Sequence, residues 1–162
     1  MDDDDFVLVG KALFLAQKFE MTCKDILAWI LAAQRLSESV GPTLEEFASH
    51  SEELRKLFLK PIIKLANAKL QRLMTKANYQ VLDDGVKGRN WIAHECCEGM
   101  IESNLNNSQP NLDRDLLLIQ LKNVATADAL VSKWSFEFHE REPATMFFKQ
   151  RYIDGIVDWV TL

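Results

Sequence analysis

Apolar residues recur every three or four positions along nearly the whole 162-residue chain. This spacing is typical of amphipathic α-helices, whereas half-buried strands alternate at every second residue. No Asn-Gly or Asp-Gly dipeptide joins two alternating segments, so a hairpin signal is absent from the sequence. The pattern therefore predicts an all-α fold, a bundle of about five to six helices.

Capping residues and a proline divide the first half of the chain into predicted helices. One helix covers about residues 6–19, and Thr22 caps a second that ends near residues 41–42. Thr43 begins a third helix and has a glutamate three residues later, as in a capping box. Pro61 lacks an N–H group and clashes with the carbonyl four residues back, so we expect a break or kink there.

The second half of the chain continues the helical pattern. The expected elements are a basic helix over 61–76, a helical region over about 79–103, a connection over 104–111, a long amphipathic helix from Leu117 to Phe138, and a last helix over 145–159. Gly85 and Gly88 lie inside the second of these, so a bend or loop is expected just before Arg89.

Length and composition indicate one globular domain over residues 1–162. The chain is 48% hydrophobic and 27% charged, enough to bury a core, which excludes whole-chain disorder. Residues 1–5, a methionine and four aspartates, are expected to form a disordered acidic tail. The longest uncharged apolar run, 26–33, is far shorter than the ~20 residues of a membrane span. The acidic start also does not match a secretory signal.

The cysteines point to a compartment. Cys23, Cys96 and Cys97 are odd in number and two are adjacent, which is not a disulfide framework. No Cys-x-x-Cys or His-x-x-x-His spacing offers a zinc site. Three free thiols suit a reducing environment, so we expect a cytoplasmic protein without a membrane partner.

Charge is unevenly distributed along the sequence. The net charge is −5, yet residues 55–89 carry nine basic and only two acidic side chains. On a helical wheel five cations fall opposite an apolar arc, namely Lys60, Lys64, Lys69, Arg72 and Lys76. A pI near 5.2 argues against a protein that coats nucleic acid. A confined phosphate-binding surface and an ordinary solvated helix face both remain compatible with the pattern.

His94 lies in the most informative short segment, Gly-Arg-Asn-Trp-Ile-Ala-His-Glu at 88–95. Arg89 is always charged and can bind a phosphate by donating two hydrogen bonds from its guanidinium N–H groups. Asn90 and His94 are four residues apart and share a helix face, whereas Arg89 and His94 lie about 140° apart on an α-helix. A capped helix with a hydrogen-bonded histidine is the structural alternative. The other two histidines, His50 and His139, are expected to be exposed.

The segment Arg89-Asn90-Trp91-Ile92-Ala93-His94 resembles the Arg-x(4–6)-His motif of the HEPN family, all-helical nucleotide-binding and ribonuclease domains. Asn90 fits the polar position after the arginine, and the aliphatic-Ala pair before the histidine is also typical. The resemblance implies a HEPN-like helical bundle that dimerises with its two motifs facing one another, and metal-independent RNA cleavage without a cofactor. Arg89 and His94 would be the active pair and Asn90 a supporting polar residue.

The resemblance also implies a setting and partners. Relatives act in toxin–antitoxin and other defence roles, which would add a cognate antitoxin or regulatory protein to RNA and a second copy as partners. One subgroup of toxins has a tyrosine two places after the histidine, where this chain has Cys96. Regulation through modification of that tyrosine is therefore not expected here.

The chemistry can be argued from the residue types alone. RNA cleavage without a metal uses the 2′-hydroxyl as nucleophile, so one group must take its proton and another must protonate the leaving 5′-oxygen. Histidine suits both roles and arginine stabilises the charge that builds up on phosphorus. One chain offers a single motif histidine, so a two-fold dimer would supply the pair.

Neighbouring residues have plainer interpretations. We expect the adjacent cysteines to be small packing residues, Trp91 to pack in the core or an interface, and three glutamates to form a solvated acidic face, namely Glu95, Glu98 and Glu102. Two other functions remain open. One is a non-catalytic HEPN module that binds a nucleotide or a partner protein, and the other is a plain helical interaction domain.

Overall fold

The computed structural model describes residues 3–38, 43–96, 98, 112–144 and 146–162. Every regular element within these ranges is helical, which confirms the all-α prediction. The elements are α1 (Asp3–Ser37), α2 (Leu44–Arg55), α3 (Leu59–Lys69), α4 (Lys76–Asn90), a π-helical turn (Trp91–Glu95), α5 (Arg114–Glu140) and α6 (Met146–Thr161).

Helices α1 and α5 form the centre of the bundle and pack against one another. Helix α4 packs mainly on α5, α2 and α3 pack on α1, and α6 covers α5. The core between them contains fully buried side chains from five of these helices, among them Phe19, Ile62, Leu82, Leu121 and Val160. The apolar stripe predicted on the long helix, α5, is the stripe that faces this core.

One continuous helix, α1, occupies the region where two were predicted. Thr22 does not cap a second helix, because its hydroxyl donates to the carbonyl of Lys18 one turn back at 2.9 Å. Threonine is tolerated inside a helix when its side chain bonds the backbone in this way. The buried face runs without interruption from Ala12 to Leu31, so packing on the bundle outweighs the local start signal.

The acidic start of the chain is ordered from Asp3 onward, where a disordered tail over 1–5 was expected. Asp5 lies in α1 and is largely buried. Its carboxylate accepts from Nε of Arg114, at the start of α5, at 2.8 Å. The distant residue Arg114 thus holds the acidic start of the chain in place, although its composition alone predicts a solvent-exposed tail.

The start of α2 agrees with the predicted capping box. The Glu46 backbone N–H donates to Oγ1 of Thr43 at 3.1 Å, and the Thr43 N–H donates to the Glu46 carboxylate at 2.9 Å. The predicted break at Pro61 falls earlier, because α2 ends at Arg55 and α3 begins at Leu59. Pro61 is then in the first turn of α3, where its missing N–H costs nothing.

The basic segment is not one helix over 61–76. Helix α3 ends at Lys69, and a short turn separates it from α4. Thr75 caps α4 by accepting from the Asn78 N–H at 3.2 Å, and the Asn78 side chain donates to the Leu73 carbonyl at 2.7 Å. These local hydrogen bonds fix the start of a new helix at Lys76, although the apolar spacing alone predicts one uninterrupted helix.

Helix α4 is continuous through both glycines, so no loop interrupts the chain just before Arg89. The two positions serve close packing instead. A Cβ at Gly85 would lie 2.3 Å from Cβ of Ala127, and one at Gly88 would lie 2.8 Å from the Gln120 backbone oxygen. Glycine here allows α4 to approach α5 more closely than any other residue would.

Beyond α4 the outcome of the predictions is mixed. The connection predicted at 104–111 and most of 97–103 lie outside the described residues. The two C-terminal helices match their predictions, α5 over Arg114–Glu140 and α6 over Met146–Thr161. Among the described residues, no helix combines the length and apolar content that crossing a membrane requires.

Candidate functional site

The π-helical turn brings Arg89 and His94 together. In this turn the Cys96 N–H donates to the Trp91 carbonyl five residues back, at 2.9 Å. An i→i+5 pattern holds more residues per turn than an α-helix, so residues five apart lie closer to one line. Nη1 of Arg89 lies 3.3 Å from Nε2 of His94. On a regular α-helix the two residues would lie about 140° apart, so only the long arginine side chain could bring them into contact.

Arg89 also contacts the polar residue next to it. Nη1 of Arg89 donates to the Asn90 side-chain oxygen at 3.0 Å. Because a guanidinium group has no acceptor, Nε2 of His94 must be the acceptor in the Arg89 contact. The three predicted site residues therefore form one cluster at the end of α4, with Arg89 at its centre.

Glu20 is the part of the cluster that the sequence did not indicate. It lies on α1 and forms a short ion pair with Nη2 of Arg89. The two side chains are each 23% exposed, so the pair is partly shielded from water. Glu20 and Arg89 are 69 positions apart in sequence, so no spacing pattern links them, and the packing of α1 against the π-helical turn places this carboxylate here.

The cluster faces solvent on its histidine side. His94 and Asn90 are exposed, whereas Arg89 is half-buried. An open cavity of about 300 Å³ adjoins Glu20 and is lined also by Met21, Lys24 and Arg55. His94 is thus accessible to a ligand from solvent, whereas the cavity borders the cluster only at Glu20.

The residues that flank the histidine have structural roles. Ile92 is buried, Trp91 packs against the core, and Cys96 is buried with its thiol donating to the Ile92 carbonyl at 2.8 Å. Glu95 and Glu98 are exposed, as the solvated-face interpretation predicts. Cys97 and Glu102 lie outside the described residues.

The five cations of the basic segment are all exposed but belong to three different elements. Lys60, Lys64 and Lys69 lie on α3, Arg72 lies in the turn, and Lys76 begins α4. No bond or ion pair of their side chains appears among the described contacts. Their surface is therefore cationic, although it is not the single helix face predicted.

The other two histidines differ from one another. His139 is exposed, as expected, and packs edge-on against Trp29 with ring centroids 5.1 Å apart. His50 is not exposed as expected, since its side chain is only 20% accessible. Nη1 of Arg35 lies 2.9 Å from Nδ1 of His50, which accounts for the lower exposure.

A separate polar cluster ties α6 to the bundle. Asp128 on α5 is fully buried and accepts from Nζ of Lys18 at 2.6 Å and from the Tyr152 hydroxyl at 2.5 Å. Burial raises the pKa of Tyr152, and its bond to Asp128 adds to the rise. Burial lowers the pKa of Lys18, but the bonds to Asp128 and Tyr152 outweigh it, so the pKa is raised overall.

Within the described ranges, no group of three or more His, Cys, Asp and Glu side chains is arranged to hold a metal ion. Comparison of the chain with protein-family models, with curated proteins and with solved structures found no match.

Proposed function

We propose that the protein is a HEPN-type, metal-independent endoribonuclease that acts as a homodimer. The observation that carries the proposal is the contact between Arg89 and His94, 3.3 Å apart beside Asn90 and exposed to solvent. This is the side-chain pair that phosphodiester transesterification requires, a cation for the phosphate and a group able to move a proton.

The free protein holds the pair in a resting arrangement. The Arg89 guanidinium donates to Nε2 of His94 and is held from behind by Glu20. A bound phosphate competes for the same N–H groups, because arginine binds phosphate through two donors. When Arg89 turns to the phosphate, the lone pair on Nε2 of His94 becomes available to take a proton.

The reaction then needs two histidines. One takes the proton of the 2′-hydroxyl as that oxygen attacks phosphorus, and the second gives a proton to the 5′-oxygen as the P–O5′ bond breaks. The products are a 2′,3′-cyclic phosphate and a 5′-hydroxyl end. His94 of one protomer and His94 of its partner fill the two roles, while the two Arg89 side chains stabilise the extra negative charge.

An exposed apolar stripe on α1 supports the dimer. Val7, Phe14 and Met21 lie seven residues apart on one face and are 55%, 61% and 66% exposed. Exposed apolar side chains in a row are typical of surfaces that another protein covers. Glu20 is next to Met21 along α1, so a second copy on this stripe would lie close to both Arg89 clusters.

The exposed cations between Lys60 and Lys76 would guide the RNA backbone. Binding through phosphates releases counterions, so the logarithm of affinity should fall linearly with the logarithm of salt concentration. Neutralising Lys60, Lys64 and Lys69 together is expected to reduce that slope by about two to three units. A slope that stays the same would remove these lysines from the RNA path.

The direct experiment compares RNA cleavage in EDTA by the native protein and by His94→Ala and Arg89→Ala. Each substitution is expected to lower the cleavage rate by about 100-fold or more. His139→Ala, an exposed histidine remote in sequence, is the matched control and should keep the native rate. Equal rates in all four proteins would assign the cleavage to a contaminant and contradict the proposal.

A non-catalytic HEPN module that binds a nucleotide or a partner is the second candidate. The ion pair with Glu20 favours it, because the carboxylate compensates the charge of Arg89 before any phosphate arrives. The net charge of −5 also disfavours RNA binding. A folded, dimeric protein that binds RNA fragments but leaves mixed cellular RNA uncut would favour this function.

A further inference from the structure

Lys24 lies one helical turn along α1 from Glu20, the carboxylate of the Arg89 cluster. Both residues line the open cavity of about 300 Å³ between α1 and α2, together with Asp25 and Arg55. Because Lys24 follows Glu20 by four residues, the two share a helix face and are about 6 Å apart along its axis. The cavity therefore extends from the cluster to a second cation.

Three of the four charged side chains that the structure describes around this cavity are paired. Glu20 forms its short ion pair with Arg89, and Nε of Arg55 lies 2.9 Å from the Asp25 carboxylate. Lys24 is partly buried, and its ammonium group has no hydrogen bond or ion pair with any described residue. A glutamate four residues before a lysine commonly pairs with it on a helix, but this glutamate binds Arg89 instead. Lys24 thus brings an uncompensated positive charge to the cavity.

A partly buried ammonium group without a counter-ion favours an anionic ligand. Partial burial lowers the local dielectric constant, so Lys24 attracts an anion more strongly than a fully exposed lysine does. Lysine binds phosphate as a point charge with three rotatable donors, and it does not need the fixed geometry of an arginine fork. Met21 gives the same cavity an apolar wall, on which a ribose or a nucleobase can pack.

We propose that Lys24 binds the RNA phosphate next to the scissile one, and that the cavity holds part of the nucleotide between these two phosphates. The inference rests on the proposed ribonuclease function, because it assigns the scissile phosphate to Arg89. Lys24 is a positioning residue: it fixes the register of the RNA, whereas Arg89 and His94 act on the reacting atoms.

The spacing of the two cations favours RNA over a free nucleotide. A mononucleotide has the same phosphate chemistry, but its single phosphate can occupy only one of the two positions. An RNA strand presents a phosphate at every nucleotide, so it can contact Arg89 and Lys24 at the same time. The RNA backbone therefore accounts for both cations with one ligand.

Binding of an uncleavable RNA to the full chain tests this contact without relying on cleavage. A fluorescent single-stranded RNA with 2′-O-methyl riboses lacks the attacking hydroxyl, and its Kd is measured by anisotropy at several salt concentrations. Each phosphate contact on a single strand contributes about 0.7 to the slope of log affinity against log salt, so Lys24→Gln should lower the slope by about 0.7. Lys24→Arg keeps the charge and should keep the native slope.

Lys149→Gln is the matched control for the loss of a lysine. Lys149 is also partly buried, but it lines a separate cavity between α5 and α6. This variant should keep the native slope. A native slope in Lys24→Gln, or an equal fall in both variants, would overturn the proposal. AMP that binds as tightly as the RNA, with the same loss in Lys24→Gln, would assign the cavity to a free nucleotide and would also overturn it.

Cleavage kinetics separate the role of Lys24 from the ribonuclease function itself. A dinucleotide contains only the scissile phosphate, so Lys24→Gln should leave its kcat/KM unchanged. A tetranucleotide with one cleavable linkage also contains flanking phosphates, and here kcat/KM should fall by about tenfold. An equal loss on both substrates would overturn the positioning role.

The two proposals fail in different ways. Native protein that binds RNA through Lys24 but cuts neither substrate would refute the ribonuclease function and support the phosphate contact. Native protein that cuts RNA, while Lys24→Gln binds the uncleavable strand with the native slope, would refute the phosphate contact and leave the ribonuclease function standing.

Discussion

Glu20 determines how the Arg89 guanidinium is held. The carboxylate binds Nη2, which leaves Nη1 directed to His94 and Asn90. A salt bridge that is partly shielded from water restricts an arginine more than an exposed pair does. Glu20 therefore positions Arg89 and, at the same time, adds negative charge that would oppose the RNA binding that we propose.

Glu20→Ala is expected to separate these two effects. RNA affinity should increase modestly, because one negative charge is lost, whereas the cleavage rate should fall by about 10- to 100-fold, because Arg89 is no longer held in place. Glu98→Ala is the matched control, since it removes an exposed carboxylate near the motif. The cleavage rates of both variants are measured under single-turnover conditions. An equal loss of cleavage rate in the two variants would mean that Glu20 acts only through its charge.

At this scale the sequence predicted three of the four residues in the cluster. The resemblance of residues 89–94 to a known motif singled out Arg89, Asn90 and His94. Helical geometry placed Arg89 and His94 on different faces and relied on the long arginine side chain to close part of the gap, because it assumed α-helical spacing over a segment that includes a π-helical turn. Glu20 could not be predicted from the sequence, because a contact between residues 69 positions apart depends on tertiary packing.

Helix α4 shows how an element can carry strong turn signals and remain helical throughout. Gly85 and Gly88 face α5 and α1, and their missing side chains let the helices approach closely. Glycine destabilises an isolated helix by about 0.5–1 kcal/mol relative to alanine, but here close packing offsets that cost. The chain continues as a helix to Asn90, so α4 leads directly into the π-helical turn that holds the Arg89 cluster.

Gly85→Ala is expected to destabilise the fold by about 1–3 kcal/mol or more, because the added methyl group would overlap Cβ of Ala127. Gly10→Ala makes the same chemical change in α1, where nothing lies within 4 Å of the added Cβ. That control should instead stabilise the protein by about 0.5–1 kcal/mol through helix propensity. Urea unfolding measures both free energies, and a destabilisation shared by the two variants would refute the packing role of Gly85.

At the scale of elements, the helical class and several helix boundaries were predicted correctly. The capping box at Thr43 and the apolar stripe of α5 are local patterns, and both appear as predicted. The division of α1 at Thr22 was wrong because a cap residue inside a well-packed helix can bond backward to its own backbone. Pattern alone cannot distinguish these two uses of threonine.

The dimer that we propose would assemble through the surface of α1. Met21 is 66% exposed on the stripe that we assign to the second copy, next to Glu20 of the site. Burying such side chains contributes about 1.5–3 kcal/mol each, so their loss should weaken a two-fold interface strongly because each counts twice.

Met21→Asp is therefore expected to convert the dimer to a monomer and to abolish RNA cleavage. Leu44→Asp adds the same charge at a residue that is 84% exposed but lies on α2, away from the stripe. Sedimentation equilibrium should show a dimer for the native chain and for this control. A monomeric native protein that still cleaves RNA would contradict the shared site.

The stability of the whole molecule should depend on pH through the cluster of Lys18, Asp128 and Tyr152. The pKa values of Lys18 and Tyr152 are raised above 10.5 and 10.0, so the folded chain holds both protons more tightly than the unfolded chain. Their contribution is complete below pH 10 and is lost as pH rises through the folded-state values.

The free energy of unfolding, measured with urea between pH 8 and pH 11, should therefore fall on the alkaline side for the native protein. Asp128→Asn removes the negative charge that both groups share, so this variant should be less stable at pH 8 and should depend less on pH above 10. An alkaline slope equal to that of the native protein would show that other groups titrate in this range.

The chemistry of the RNA ends tests the central claim most directly. RNA is incubated with the native protein in EDTA, and the new termini are identified by mass spectrometry. Cleavage by two histidines and two arginines must leave 2′,3′-cyclic phosphate and 5′-hydroxyl ends, and His94→Ala should leave neither. Products with 3′-hydroxyl and 5′-phosphate ends, or intact RNA after incubation with a folded dimer, would contradict the assignment of Arg89 and His94 as a ribonuclease site.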